Sequence, residues 1–428
     1  MPLRAVDVFT PGAYPEHTYV PRNEERLEAR LADALSVPGN LVSLSGPSKS
    51  GKTVLIEKVV GRDLLIPITG ATVKEPADVW QQVLDWIDSP SQTALTEVHS
   101  KTLGGELDVS GEVGIPLVAK GQVTAKGSIE SQAATTSTAT KERRGLSQVL
   151  QEIGNSDFVI LIDDFHYMSR EVQADVAKSL KEAIRLGLKV VTAAVAHRGD
   201  DMLRANPELR GRVQTLDLKY WNVDELATIP SVGFGKLNAS ISDNMLEQFL
   251  RESAGSPQLM QSLCLQACFV GGLRSEHEGT FPLVLAFGQD SIKDVLEQTT
   301  TSTDYRSVVD VLDGGPPTRG TERKIYKFKD GTTGDVYRAI LKALAINPPL
   351  LSFTYDTLQE RIASVCNEEP PVGSSVISTC VQMQKLTTER FPKERVVDWD
   401  ESKPVLDIPD PYFLFYLRWS NRLTSEQK

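Results

Sequence analysis

Long apolar runs are missing from this sequence. No stretch is long enough to cross a bilayer as a helix, and the opening Met1-Pro-Leu-Arg-Ala-Val-Asp7 lacks the apolar block of a secretory leader. Cysteine is scarce, at 4 in 428 residues. Cys264, Cys268, Cys366 and Cys380 fit neither a zinc knuckle nor a disulfide framework, so buried free thiols in a reducing compartment are expected. Positive charge is also in deficit: 46 Lys and Arg stand against 57 Asp and Glu, a net −11. That balance argues against sequence-independent nucleic-acid binding by the whole chain and leaves a local basic face open. A cytoplasmic location is the expectation. Hydrophobic content of 40% and charged content of 24% are ordinary for a globular protein. The length suits about three domains, each with its own core.

What the sequence has is Gly46-Pro47-Ser48-Lys49-Ser50-Gly51-Lys52-Thr53, which fills the pattern G-x-x-x-x-G-K-[ST]. The apolar run Leu41–Ser45 before it reads as a strand, and the run from Thr53 and Val54 to Val60 reads as a helix. Strand, glycine-bearing loop and helix start make an anion cradle, with free N–H groups and the positive helix end aimed at phosphate. Lys52 would reach the β- and γ-phosphates, and the Thr53 hydroxyl would hold Mg²⁺. A nucleoside triphosphate, ATP, is the expected ligand.

Hydrolysis needs more than a cradle. Phe158-Val-Ile-Leu-Ile-Asp163-Asp164 is an apolar strand ending in two acids. Asp163 would stand beside the metal and Asp164 within reach of the attacking water. The next apolar strand ends at His197 and Arg198. These are either γ-phosphate sensors at the carboxyl end of the sheet or ordinary surface residues. Leu203 to Val213 then carries Arg204, Arg210 and Arg212. Three arginines so close form either a solvated face or a finger reaching into a neighbour's site, with Arg212 ahead of Arg210.

The alternation of strand and helix patterns to about residue 220 predicts a parallel α/β sheet. Its strands are expected at Leu41–Ser45, Leu64–Ile68, Phe158–Ile162, Leu188–Val195 and Val213–Leu218. Residues 221–300 read as a helical lid and 301–328 as a linker or loop. Residues 329–428 read as a winged helix, with its third helix at Ser374–Glu389 and a β-wing after it. Contact with DNA through residues 374–408 would need more Lys and Arg than that helix carries, so a protein-contact role competes with it.

An insertion at about 103–140 separates Lys52 from Asp163. Its odd positions are apolar or small and its even positions polar, through two strands and a turn at Pro116-Leu117-Val118. That register pairs Val113 with Gly121, and Asp108 with Lys126. Three readings stay open: a hairpin folded on its own domain, one pairing with a neighbouring copy, and a membrane-inserting hairpin, which lacks an aromatic girdle.

Phosphate loop, Asp-Asp strand, sensor strand, arginine pair, helical segment and winged helix follow in an order that resembles the AAA+/STAND group of P-loop ATPases, especially origin-recognition and archaeal-ATPase types. In that resemblance Thr18-Tyr19-Val20-Pro21-Arg22 is similar to the box that contacts adenine, so Tyr19, Val20 and Arg22 are implied base contacts. Ala254-Gly255-Ser256-Pro257-Gln258 resembles the G-x-P element of STAND lids, which implies Pro257 at the nucleotide. Two departures stand out. Asp164 replaces the usual glutamate, which suggests slow turnover, and Gln258 follows Pro257 where a lid arginine is usual. The composite expectation is an α/β P-loop ATPase core with helical lid and winged helix, acting as an ATP- and Mg²⁺-dependent switch. It would assemble as a homo-oligomer with nucleotide and act through a protein partner. A DNA-bound initiator or loader ATPase is the runner-up, and a prokaryotic defence ATPase recruiting a separate effector is the third reading.

Overall fold

The computed structural model describes residues 2–22, 25–89, 92–99, 135–142, 145–195, 199, 201–301, 304–317, 320, 322–391, 396–401 and 403–424, with 92–99 and 135–142 as backbone only. Strands before residue 220 are β1 (Leu41–Ser45), β2 (Leu65–Thr69), β3 (Gln92–His99), β4 (Thr135–Glu142), β5 (Val159–Asp163), β6 (Lys189–Ala194) and β7 (Val213–Asp217). Five of them form one sheet in the order β2-β5-β6-β1-β7. Every pairing in it is parallel. Each lies within a residue of the strand expected from sequence. Successive side chains enter opposite cores: Ile160 and Ile162 join Val79, Val83 and Leu180, while Val159 and Leu161 join Leu27, Leu31 and Ile56. Burial on both faces is why the central strands β1, β5 and β6 read as mostly apolar runs, whereas the edge strand β7 keeps Gln214 and Thr215 and is only partly buried. The α/β P-loop core is therefore as expected.

β3 and β4 pair antiparallel, from Gln92 opposite Glu142 to His99 opposite Thr135. Each pair of partners is equidistant from residue 117, the centre that the sequence pattern assigns to the turn. Residues 103–134, with most of the expected alternation, lie outside the described residues.

Four helices, Val223–Lys236, Asp243–Glu252, Pro257–Val270 and Gln289–Thr301, form the lid. Its core includes residues that the sequence reading assigned to the first domain: Ala5, Val8, Phe9 and Val20 are buried with Leu226, Phe249 and Leu263. Ala5 donates its backbone N–H to the Arg274 carbonyl at 2.9 Å, and the rings of Phe9 and Phe234 lie 5.0 Å apart. Gly233 allows that approach, since a Cβ there would stand 2.2 Å from the Phe9 ring.

The segment 301–328, expected to be a linker, instead carries a helix at Arg306–Gly314. Val308, Val309 and Leu312 place one apolar face of it in the core of the C-terminal unit. That unit contains the helices Val336–Ala345, Tyr355–Val365 and Ser374–Arg390, and strands Ser352–Thr354, Asp398–Asp400 and Val405–Asp407 in one antiparallel sheet. The first of these strands was not anticipated.

The helix Pro411–Trp419 joins the lid to this unit. It is apolar all round, as a helix buried on every side must be. Tyr412 and Phe415 enter the lid core, while Phe413, Leu414, Tyr416 and Leu417 enter the C-terminal core. At its end Arg418 grips Glu252 of the lid through Nε and Nη2, at 2.9 and 3.0 Å, and Trp419 Nε1 donates to the same carboxylate at 2.8 Å. The Glu252 side chain is 1% exposed and that of Arg418 6%, so this ion pair is buried.

Candidate functional site

The carboxyl ends of β1, β5, β6 and β7 open into a cavity of about 420 Å³, where parallel sheets characteristically receive ligands. Ser48 to Leu55 line it, with Asp163, Asp164, Val195 and Leu218 at the strand ends. Gly46 and Pro47 sit behind this wall. A Cβ on Gly46 would meet Leu218 Cβ at 2.7 Å, so only glycine lets β1 turn into the loop here. Gly51, at φ 91°, starts the helix Lys52–Val60.

Lys52 Nζ donates to the carbonyls of Gly46 at 3.0 Å and Pro47 at 2.8 Å. Burial pushes its pKa down, opposed by Asp163 and Asp164, while the charge of Lys49 adds to the depression. Thr53 Oγ1 donates to Asp163 Oδ2 at 3.2 Å. These are hard oxygen donors side by side, which fits Mg²⁺. The other Asp163 oxygen accepts the Asp164 N–H at 2.9 Å, which fixes the carboxylate plane. Asp164 turns at φ 55°, and Gly70 packs so closely under it that a Cβ would lie 2.5 Å from its carbonyl oxygen. The Ser50 hydroxyl is buried without a hydrogen-bond partner among the described residues. An orphaned donor inside an anion cradle fits a phosphate.

On the far side of the cavity Tyr19 and Tyr14 stack with centroids 6.1 Å apart. The Tyr19 hydroxyl donates to Glu28 at 2.6 Å, and burial with that carboxylate pushes its pKa up. Val20, Leu27 and Ile229 supply apolar surface suited to a base. Arg22 also lines the cavity, but its guanidinium is committed to Glu225 at 3.0 Å, Glu25 at 3.3 Å and the Lys219 carbonyl at 3.1 Å.

The lid reaches the loop directly. Trp221 Nε1 donates to the Ser50 carbonyl at 2.9 Å, and Ser256 Oγ approaches the Lys49 carbonyl at 3.5 Å. Pro257 and Gln258, at the start of the following helix, line the cavity. The Gln258 carbonyl accepts the Tyr412 hydroxyl at 3.2 Å. Burial raises that hydroxyl to about 12, so it stays protonated at neutral pH.

Arg210 and Arg212 are exposed and do not line this cavity. The Arg212 carbonyl accepts the Leu41 N–H, at the amino end of β1. A strand of that length, ~16 Å at about 3.3 Å per residue, separates the two ends of the sheet. His197 and Arg198 lie outside the described residues. The sequence reading missed Tyr14, Trp221 and Gly70. An aromatic residue at the junction of sheet and lid was the available signal for Trp221; nothing local marked Gly70.

No family model matches the chain, and no curated protein matches it. Among solved structures it is similar to Cdc6p from Pyrobaculum aerophilum, at 14% identity and TM-score 0.43 over 99% of this chain and 100% of that one. It is also similar to the ORC2 protein of Aeropyrum pernix, at 12% identity and TM-score 0.46 over 99% and 98%. A Walker-type ATPase of Pyrococcus abyssi is similar at 14% identity and TM-score 0.46 over 94% and 96%.

Proposed function

We propose that this chain is an ATPase that turns over slowly and serves as a nucleotide-dependent switch. The observation that carries the reading is the meeting of Thr53 Oγ1 and Asp163 Oδ2 at 3.2 Å beside the buried Lys52. These are residues 110 positions apart in sequence, brought together at a glycine-bearing loop and a helix start. With Mg²⁺ bound, the metal would neutralise charge on the phosphates and polarise them for attack by water. Thr53 and Asp163 would hold that metal. The loop N–H groups and the Ser50 hydroxyl receive phosphate oxygens, and Lys52 exchanges the Gly46 and Pro47 carbonyls for the phosphate chain. Asp164 orients and deprotonates the attacking water. Tyr14, Tyr19, Val20 and Ile229 enclose the base.

The switch reading rests on the path out of the site. Gln258 lines the cavity and accepts from Tyr412, so a ligand that moves the lid helix also moves the helix Pro411–Trp419. On this reading the C-terminal unit is a winged helix that presents nucleotide state to a protein partner. Its third helix exposes Ile377 with Ser374, Ser375 and Ser378, and its exposed cations are Lys385 and Arg390. That surface suits protein contact better than a phosphate backbone. Calorimetry with Mg·ATP tests the core of the proposal. The parent should bind, and Lys52→Ala should not, because the triphosphate would lose its buried counter-charge. Equal affinity in the two proteins would overturn it.

A further inference from the structure

Lys49 occupies a backbone position built for glycine. Its φ is 59°, inside the left-handed region, where a side chain is strained and glycine is not. Strain of this kind persists only when its surroundings enforce it, and it concentrates where a side chain is needed. Here the enforcement is visible: the lid's Ser256 hydroxyl approaches the Lys49 carbonyl, and Trp221 holds the next carbonyl, that of Ser50.

The charge balance of the cavity says what such a side chain would serve. Among the described lining residues the cations are Arg22, Lys49 and Lys52, and the acids at the metal end are Asp163 and Asp164. Arg22 is bound by two carboxylates and a carbonyl and has 6% of its side chain exposed, which leaves it no reach toward phosphate. Lys52 is one positive charge against two aspartates. A magnesium triphosphate adds about two further negative charges. Among the described lining residues Lys49 is the remaining cation; it is solvent-exposed at the cavity wall, and close enough to Lys52 for the two charges to interact.

We propose that Lys49 is a second phosphate-binding cation that engages the third phosphate, so that this residue sets the preference of the site for a nucleoside triphosphate over a diphosphate. The inference rests on the nucleotide reading of the site and names a specificity residue within it. The lid contacts hold the strained turn that aims the ammonium, so lid position and triphosphate recognition are read by one loop.

The test uses the full chain, with Mg·ATP and Mg·ADP as probes in calorimetry and thermal melting without nucleotide. Lys49→Gly should melt higher than the parent, because the strain is released, yet bind ATP ~10-fold or more weakly, the scale of one lost charge-assisted contact. Its ADP affinity should stay near the parental value. Lys49→Gln, which keeps a side chain on the strained turn, should show the same loss for ATP, and Lys49→Arg should restore the ATP preference. Parental ATP affinity in Lys49→Gln overturns the proposal, as does an equal loss of ATP and ADP in both variants, which would make Lys49 a structural part of the loop. Binding by the parent that Lys52→Ala abolishes keeps the nucleotide reading standing in either case. A parent that binds neither nucleotide overturns both.

Discussion

At the scale of single residues, the two acids that end β5 divide the work between them. Asp163 is fixed by Thr53 and by the Asp164 N–H, whereas Asp164 stands one residue further out on a left-handed turn over Gly70. Asp164→Asn should therefore keep Mg·ATP affinity and slow hydrolysis by ~10²-fold or more, since an amide cannot take the proton from water. Single-turnover assays beside calorimetry would check it, and an unchanged rate would assign water activation elsewhere. Gly70 shows why a site residue is hard to read from sequence. Its role is to be absent, leaving room for the Asp164 carbonyl, and no local pattern announces a contact made 94 residues downstream. By contrast Gly46 to Thr53 is legible because the whole cradle is one contiguous segment.

At the scale of elements, the sheet was legible to within a residue at every strand end: the central strands, buried on both faces, are mostly apolar and stop at polar residues, and the edge strands β2 and β7 still carry apolar residues on their inner face. The base pairing of β3 with β4 shares the centre that alternation alone assigns to the turn, since a period of two fixes register strongly. Helix Arg306–Gly314 was missed because its one apolar face is short and lies among Thr, Asp and Gly residues that signal loop. The lid's dependence on residues 2–22 was hidden for a different reason: the contacts span more than 200 residues, and only packing reveals them. That the helix Pro411–Trp419 is a wall shared by two cores is likewise visible only in the packing. Arg418→Ala would leave the buried Glu252 carboxylate with Trp419 and only the long contacts of Arg251 at 3.5 Å and Gln248 at 3.4 Å, a loss of about 2–4 kcal/mol, below that of a buried charge stripped of every partner. Chemical denaturation should show that loss, and a stability equal to the parent's would mean that the ion pair does not hold lid and C-terminal unit together.

At the scale of the whole molecule, the exposed arginines at the amino end of the sheet are too distant to serve the cavity at its carboxyl end. A role in hydrolysis then requires a second copy. Arg212→Ala should bind ATP normally and hydrolyse it slowly, and mixing it with Lys52→Ala should recover part of the parental rate. The interfaces that join the intact site of an Arg212→Ala subunit to the intact arginine of a Lys52→Ala subunit would then be competent. No recovery at any mixing ratio would exclude action between subunits.

The lid core also constrains how the molecule is made. Phe9 and Val20 leave the ribosome early, yet the partners that bury them, Leu226 to Leu296, follow some 200 residues later, and Tyr412 and Phe415 come last of all. The sheet is synthesised complete before its lid, and the cavity gains the wall made by Trp221, Ile229, Pro257 and Gln258 only afterwards. Until the final helix arrives, an apolar strap from the start of the chain and an unfinished bundle wait for each other in the open. Such a fold exposes sticky surface for most of its translation, so slow synthesis of the last 200 residues endangers it more than slow synthesis of the first 200.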